Sequence, residues 1–160
     1  MAPRSFAWAL RDHLAVCERP GGYGPSHRRI RRTEEIVWLK AQGFTIVVST
    51  LAAPHNLHAY DEAELAYRHR PLGRHDDPSV VLAALYPEVR ALLADGERVV
   101  VHHDEVGDRL EGVVAGYLVH AGLVEEPARA IAMVERLLRR PMGPVGRELV
   151  AVAAALAASS

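Results

Sequence analysis

Two unbroken β-branched runs constrain this chain most: Thr45-Ile-Val-Val-Ser-Thr-Leu51 and Arg98-Val-Val-Val-His102. A strand with one wet face alternates apolar and polar side chains, whereas a continuous Val/Ile run reads as a strand covered on both faces. Between and around them lie segments with helical spacing. Ile36, Val37 and Leu39 belong to one, ended by Gly43, and Val81, Leu82, Leu85, Val89, Leu92 and Leu93 form the stripe of another. Buried strands alternating with helices predict an α/β fold with a central, mostly parallel sheet flanked by helices.

The remaining elements follow from local chemistry. Phe6–Leu10 and His13–Val16 read as short strands around a turn at Arg11-Asp12, and Pro20–Pro25 as a glycine-rich loop. The run Arg28-Arg29-Ile-Arg-Arg32 is expected as a solvated surface turn, with a grip on a phosphorylated head group or an acidic partner as the alternative. Thr33 looks like an N-cap, with Glu34 and Glu35 on the first helical turn. Leu65–Leu72 is a weaker strand closed by Pro71 and Gly73. A helix starts at Asp77-Pro78, and Pro87 within its stripe predicts a kink or two shorter helices. Leu110–Val119 is an apolar helix ended by Gly122, and helices at 127–140 and 144–157 complete the pattern. A length of 160 residues suits one domain, 1–160, with a short flexible tail at 157–160.

Composition excludes several classes of function. With 19 basic and 20 acidic residues the formal net charge is −1, which argues against binding nucleic acid by bulk charge. One cysteine, Cys17, excludes a disulfide framework within the chain and a cysteine-rich zinc site. No apolar run approaches the ~20 residues of a membrane span, and Leu149–Ala158 is too short, so a soluble cytoplasmic protein is expected.

In an α/β sheet, ligands bind beyond the carboxyl ends of strands, often at the start of the following helix. Here that place is Val101-His-His-Asp-Glu-Val-Gly-Asp-Arg109. It resembles the signature of the cysteine-dependent protein tyrosine and dual-specificity phosphatases, in which a buried strand ends in Val-His-Cys, a loop wraps a phosphate and an Arg opens the next helix. Phe6–Leu10, Leu14-Ala15 and Arg19-Pro20 are similar to the first strands of the small bacterial and dual-specificity members. Thr33–Ser49 and Tyr67-Arg-His-Arg-Pro-Leu72 resemble the segments before the acid loop, and Val113–Val119 and Arg140-Pro-Met-Gly-Pro144 those after the signature. The likeness spans residues 6–156. It implies Arg109 as a bidentate phosphate ligand, Gly107 in the phosphate loop and His102 as an orienting residue with a buried hydrogen bond. It also implies Asp76 as the general acid, since Asp77 before Pro78 is explained as an N-cap.

The departures decide the expected chemistry. The nucleophile's position is His103, and Cys17, far from the loop in sequence, does not replace it. Val106 stands where the family has Gly, with Gly107 one place late, and a β-branched residue resists positive φ. Leu110 replaces the hydroxyl residue after the Arg. Asp104, Glu105 and Asp108 against Arg109 leave the loop at about −2, the charge of a phosphate monoester. Unit charges 4 Å apart at an effective dielectric of 20 interact by about 4 kcal/mol, enough for an inward-facing carboxylate to cancel the pull of Arg109.

The preferred reading is a pseudophosphatase: a degenerate site without thiolate chemistry, acting in recognition or regulation on a phosphorylated or anionic ligand. One alternative is a phosphoester hydrolase with His103 as nucleophile, Asp76 as acid and Arg109 as clamp. Another is a divalent-metal enzyme using His103, Asp104, Glu105 and His75, with His55, His58, His69 and Asp76 as further donors. His103 as an imidazolium that holds an anion or as a plain filler of the lost cysteine's place, and Arg109 as a helix-start residue paired with a loop carboxylate, remain open. No cofactor other than a metal is implied, and any protein partner is undefined.

Overall fold

In a computed structural model, the residues described are 1–22, 29–54 and 56–159. Arg28, His55, Ser160 and the end of the Pro20–Pro25 loop lie outside them. The strands are β1 (Ala7–Leu10), β2 (Leu14–Glu18), β3 (Ile46–Ser49), β4 (Ala66–His69) and β5 (Val99–His103). The helices are α1 (Arg29–Ala41), α2 (His58–Glu62), α3 (Pro78–Ala94), α4 (Asp108–His120), α5 (Pro127–Leu138) and α6 (Pro144–Ala158).

The sheet runs β1-β2-β5-β3-β4, with β1 antiparallel to β2 and every other pair parallel. The two β-branched runs are neighbours at its centre, Val47 opposite Val100 and Val48 opposite Val101. Alternate side chains enter two different cores. Leu14, Val16, Val48, Val99 and Val101 pack with α3, α4, α5 and α6. Ala15, Cys17, Val47 and Val100 pack with α1 and with Leu57, Tyr60 and Leu65. Burial on both faces is why these strands read as continuous apolar runs. Burying each such side chain contributes roughly 1.5–3 kcal/mol before chain entropy is counted.

Several local expectations are corrected. The arginine run is no surface turn: Arg29–Arg32 form the first turn of α1, and Arg32 is buried. Thr33 is therefore not an N-cap; its hydroxyl donates to Arg29 O at 3.2 Å, inside the helix. Arginine is a strong helix former, so the helix extends past the cap candidate. Glu35 faces inward rather than complementing the dipole: it is 1% exposed, pairs with Arg31 and accepts the Gly21 N–H at 2.8 Å. Pro87 does not divide α3, because Pro87 and Ala83, whose carbonyl lacks its donor, both lie on the exposed side. The single-turn α2 has no periodic pattern to betray it. α6 continues to Ala158 and takes in the start of the expected tail. No helix among the described residues is long and apolar enough to cross a membrane.

This topology positions the site. Because β2, β5 and β3 are parallel, Arg19, His103 and Thr50 all emerge at one sheet edge, where α4 begins.

Candidate functional site

The connection from β5 to α4 contains no residue in the left-handed region. Gly107, the N-cap of α4, has φ −123° and ψ −165°, and no residue from His103 to Arg109 has positive φ. Val106 thus meets no backbone conflict in this conformation, and its side chain packs against the core. Among the described residues, the N–H groups of Gly107 through Leu110 have no hydrogen-bond acceptor, as the first turn of a helix dictates. These residues contribute to a cavity of about 200 Å³ lined by His103, Glu105, Gly107, Asp108, Arg109, Leu110 and Val145.

Two of the three loop acids are spent elsewhere. Asp108 accepts the N–H groups of Gly143 (2.8 Å), Val145 (3.1 Å) and Gly146 (2.9 Å), capping α6. Asp104 pairs with Arg19 at 3.4 Å, so the expected cancellation of Arg109 by Asp104 is not built. Glu105 does line the cavity. Arg109 donates from Nη1 to Leu72 O at 3.1 Å and forms no ion pair among the described residues, so it is not a helix-start Arg tied to a loop carboxylate.

His103 is held by a residue the sequence reading missed. Its Nδ1 lies 2.9 Å from the Thr50 hydroxyl, which itself donates to His102 O at 2.9 Å. Burial lowers the His103 pKa, and Arg109 lowers it further, while Asp104, a hydrogen bond to the Thr50 backbone and Glu105 pull it up. The net effect is a lowered pKa, which favours the neutral ring. Buried His102 has its pKa pushed down to about 3, chiefly by burial and then by His103 and Arg19. Its Nε2 is 3.4 Å from the Tyr60 hydroxyl and its Nδ1 has no partner among the described residues.

Cys17 is nearer the loop than its place in the sequence implies, for it stands opposite His102 in the β2–β5 register. Its thiol nevertheless enters the core against α1, fully buried, and burial raises its pKa with Glu35 and Glu18 adding to the effect. A thiolate is not available there.

Asp76 does not border the His103 cavity. Its carboxylate accepts the Gly73 N–H at 2.6 Å and lines a neighbouring cleft of about 630 Å³ with Arg74, Pro78 and Glu148. The cleft shares Arg109 and Val145 with the first cavity. Asp77 is the N-cap of α3, accepting the Ser79 N–H at 2.9 Å. Among the described residues, no three His, Cys, Asp or Glu side chains are placed to hold a metal. Asp104 goes to Arg19, His75 is exposed, and the His69 ring donates to Leu51 O at 2.7 Å.

No family model and no curated protein matches this chain. Solved structures do. Kinase-associated phosphatase, crystallised with its catalytic cysteine changed to serine, superposes with a TM-score of 0.81 at 19% identity, over 99% of this chain and 98% of that one. Tk-PTP in its active form gives 0.75 at 15% identity, over 94% and 97%. Human DUSP28 gives 0.73 at 15% identity, over 100% of both chains. The chain therefore has the fold of the dual-specificity and protein tyrosine phosphatases, as its signature-like segment implied.

Proposed function

We propose that this chain uses the phosphatase scaffold to bind a phosphate-type anion between His103 and the start of α4, in recognition or regulation and without thiolate chemistry. What supports this reading is the placement of His103, at the nucleophile's position, in one cavity with Arg109, which forms no ion pair among the described residues. The N–H groups of the first turn of α4 and the helix dipole add to the anion's attraction.

Hydrolysis through His103 has less support. A leaving group needs a proton, and Asp76 is folded back on Gly73 outside the His103 cavity. Leu110, buried in the cavity wall, supplies no hydroxyl.

Calorimetric titration with inorganic phosphate tests the proposal, beside turnover assays on phosphoesters with wild type and His103→Cys. Wild type should bind phosphate and turn over nothing. Arg109→Ala should weaken binding about tenfold or more, the worth of a charge-assisted hydrogen bond. His103→Cys should remain inactive because the acid is missing. Absence of phosphate binding overturns the reading, and so does an alkali-stable phosphohistidine formed during turnover.

A further inference from the structure

The hydrogen bonds around Thr50 determine which nitrogen of His103 carries the proton. Thr50 is 2% exposed, so solvent offers its hydroxyl no other partner. Its Oγ1 lies 2.9 Å from His102 O, and two buried oxygens at that separation need a proton between them. The hydroxyl has only one, and it is given to His102 O. Oγ1 is then an acceptor for His103 Nδ1, also at 2.9 Å, and Nδ1 is the protonated ring nitrogen. Nε2 keeps its lone pair for the cavity that His103 walls.

We propose that Thr50 and His103 make this site selective for a tetrahedral anion that still carries a proton, hydrogen phosphate or a monoprotonated phosphomonoester, over a fully ionised one such as sulfate. The inference rests on the anion-binding reading above and specifies its ligand. Arg109 and the α4 N–H groups satisfy anionic oxygens, which phosphate and sulfate share. Nε2 of His103 accepts a hydrogen bond, which only the protonated anion donates; sulfate would face it lone pair to lone pair. The Glu105 carboxylate, on the same wall, acts in the same direction, since it repels each added negative charge. The other charged groups that act on His103 are Asp104, tied to Arg19, and Arg109. Burial favours the neutral ring, the form that carries the lone pair.

Thr50 is a positioning residue in this scheme, and the test reads its effect directly. Nitrogen-15 spectra of the histidine rings in the free protein should give the Nδ1–H tautomer for His103. At about pH 6.5, where both ionic forms of inorganic phosphate carry a proton and sulfate carries none, and at matched ionic strength, wild type should bind inorganic phosphate at least about tenfold tighter than sulfate. Thr50→Val should move that ratio toward one and mix the tautomers, and Thr50→Ser should restore both. Sulfate binding as tightly as phosphate, or an Nε2–H ring in wild type, overturns the inference while leaving anion binding intact. If neither anion binds, the anion-binding reading falls and this inference with it. The wild-type ratio and spectrum decide the matter even if Thr50→Val does not fold.

Discussion

The carboxylate of Asp108, in the first turn of α4, accepts the N–H of Gly146 at 2.9 Å and so ties the site helix to the start of α6. The same side chain takes the N–H groups of Gly143 and Val145. A Cβ at Gly143 would stand 2.8 Å from the Asp108 carboxylate, so glycine there makes room for the cap. One acid thus caps a second helix and keeps its charge engaged beside Arg109. Asp108→Ala should cost about 1–2 kcal/mol in urea unfolding, the usual loss for a cap. Asp108→Asn should recover part of it, because an amide oxygen still accepts. An unchanged midpoint in Asp108→Ala would show that water replaces the cap without loss.

Helices α4 and α6 approach backbone to backbone at Gly112. A Cβ there would lie 2.6 Å from both the Cα and the carbonyl oxygen of Gly146, and neither is a flexible side-chain end. Gly112→Ala should therefore destabilise the protein by about 1–3 kcal/mol despite alanine's better helix propensity. Denaturant midpoints check the sign: a gain in stability would mean that the helices separate at little cost.

Glu111 and Arg140 form a pair in which the carboxylate is fully buried. Burial raises the Glu111 pKa to about 7 against the opposing pull of Arg140, with Asp108 and Glu135 adding to the rise. The folded pKa then exceeds the ordinary 4.5, so the native state holds the proton more tightly than the unfolded chain. Its contribution to stability is complete below about pH 4.5 and is lost as pH rises to about 7. His102 acts in the opposite sense: its pKa of about 3 means that stability falls as pH drops from 6.5 toward 3. Glu111→Gln should remove the first slope and leave the second, so that the variant gains stability relative to wild type as pH rises. Melting temperatures between pH 4.5 and 7 measure the difference, and parallel curves would exclude the buried-acid account.

Much of this architecture was readable in the sequence for a physical reason. Val47 and Val100 pack in one core and Val48 and Val101 in the other, and only a doubly covered sheet writes that pattern. Asp77 was readable as a cap because its partner is two residues away. The site was readable as a place rather than as a mechanism. His103, Arg109 and Gly107 are contiguous in the chain, and the resemblance located them. Thr50 and Arg19 reach the same edge from β3 and β2, and no spacing rule links positions that distant. Arg32 and Glu35 looked solvated because charge is ordinarily exposed, whereas Glu35 is buried with Arg31 of its own helix and the Gly21 N–H of a distant segment. Asp76 illustrates the reverse: it occupies the acid's place in the sequence order, but its carboxylate closes its own loop.

Cys17 offers the last prediction. Its thiol is fully buried and its pKa is raised, so the thiolate that reacts with disulfide reagents is scarce in the folded state. In native buffer a thiol-specific disulfide reagent should label the protein only as fast as it unfolds, and denaturant should release one full equivalent. Cys17→Ala should leave phosphate binding unchanged, because the thiol packs against α1 while the cavity lies at the start of α4. Fast native labelling would place the thiol in solvent. A loss of phosphate affinity in Cys17→Ala would instead mean that the sheet transmits packing from Cys17 to its neighbour His102 and on to His103.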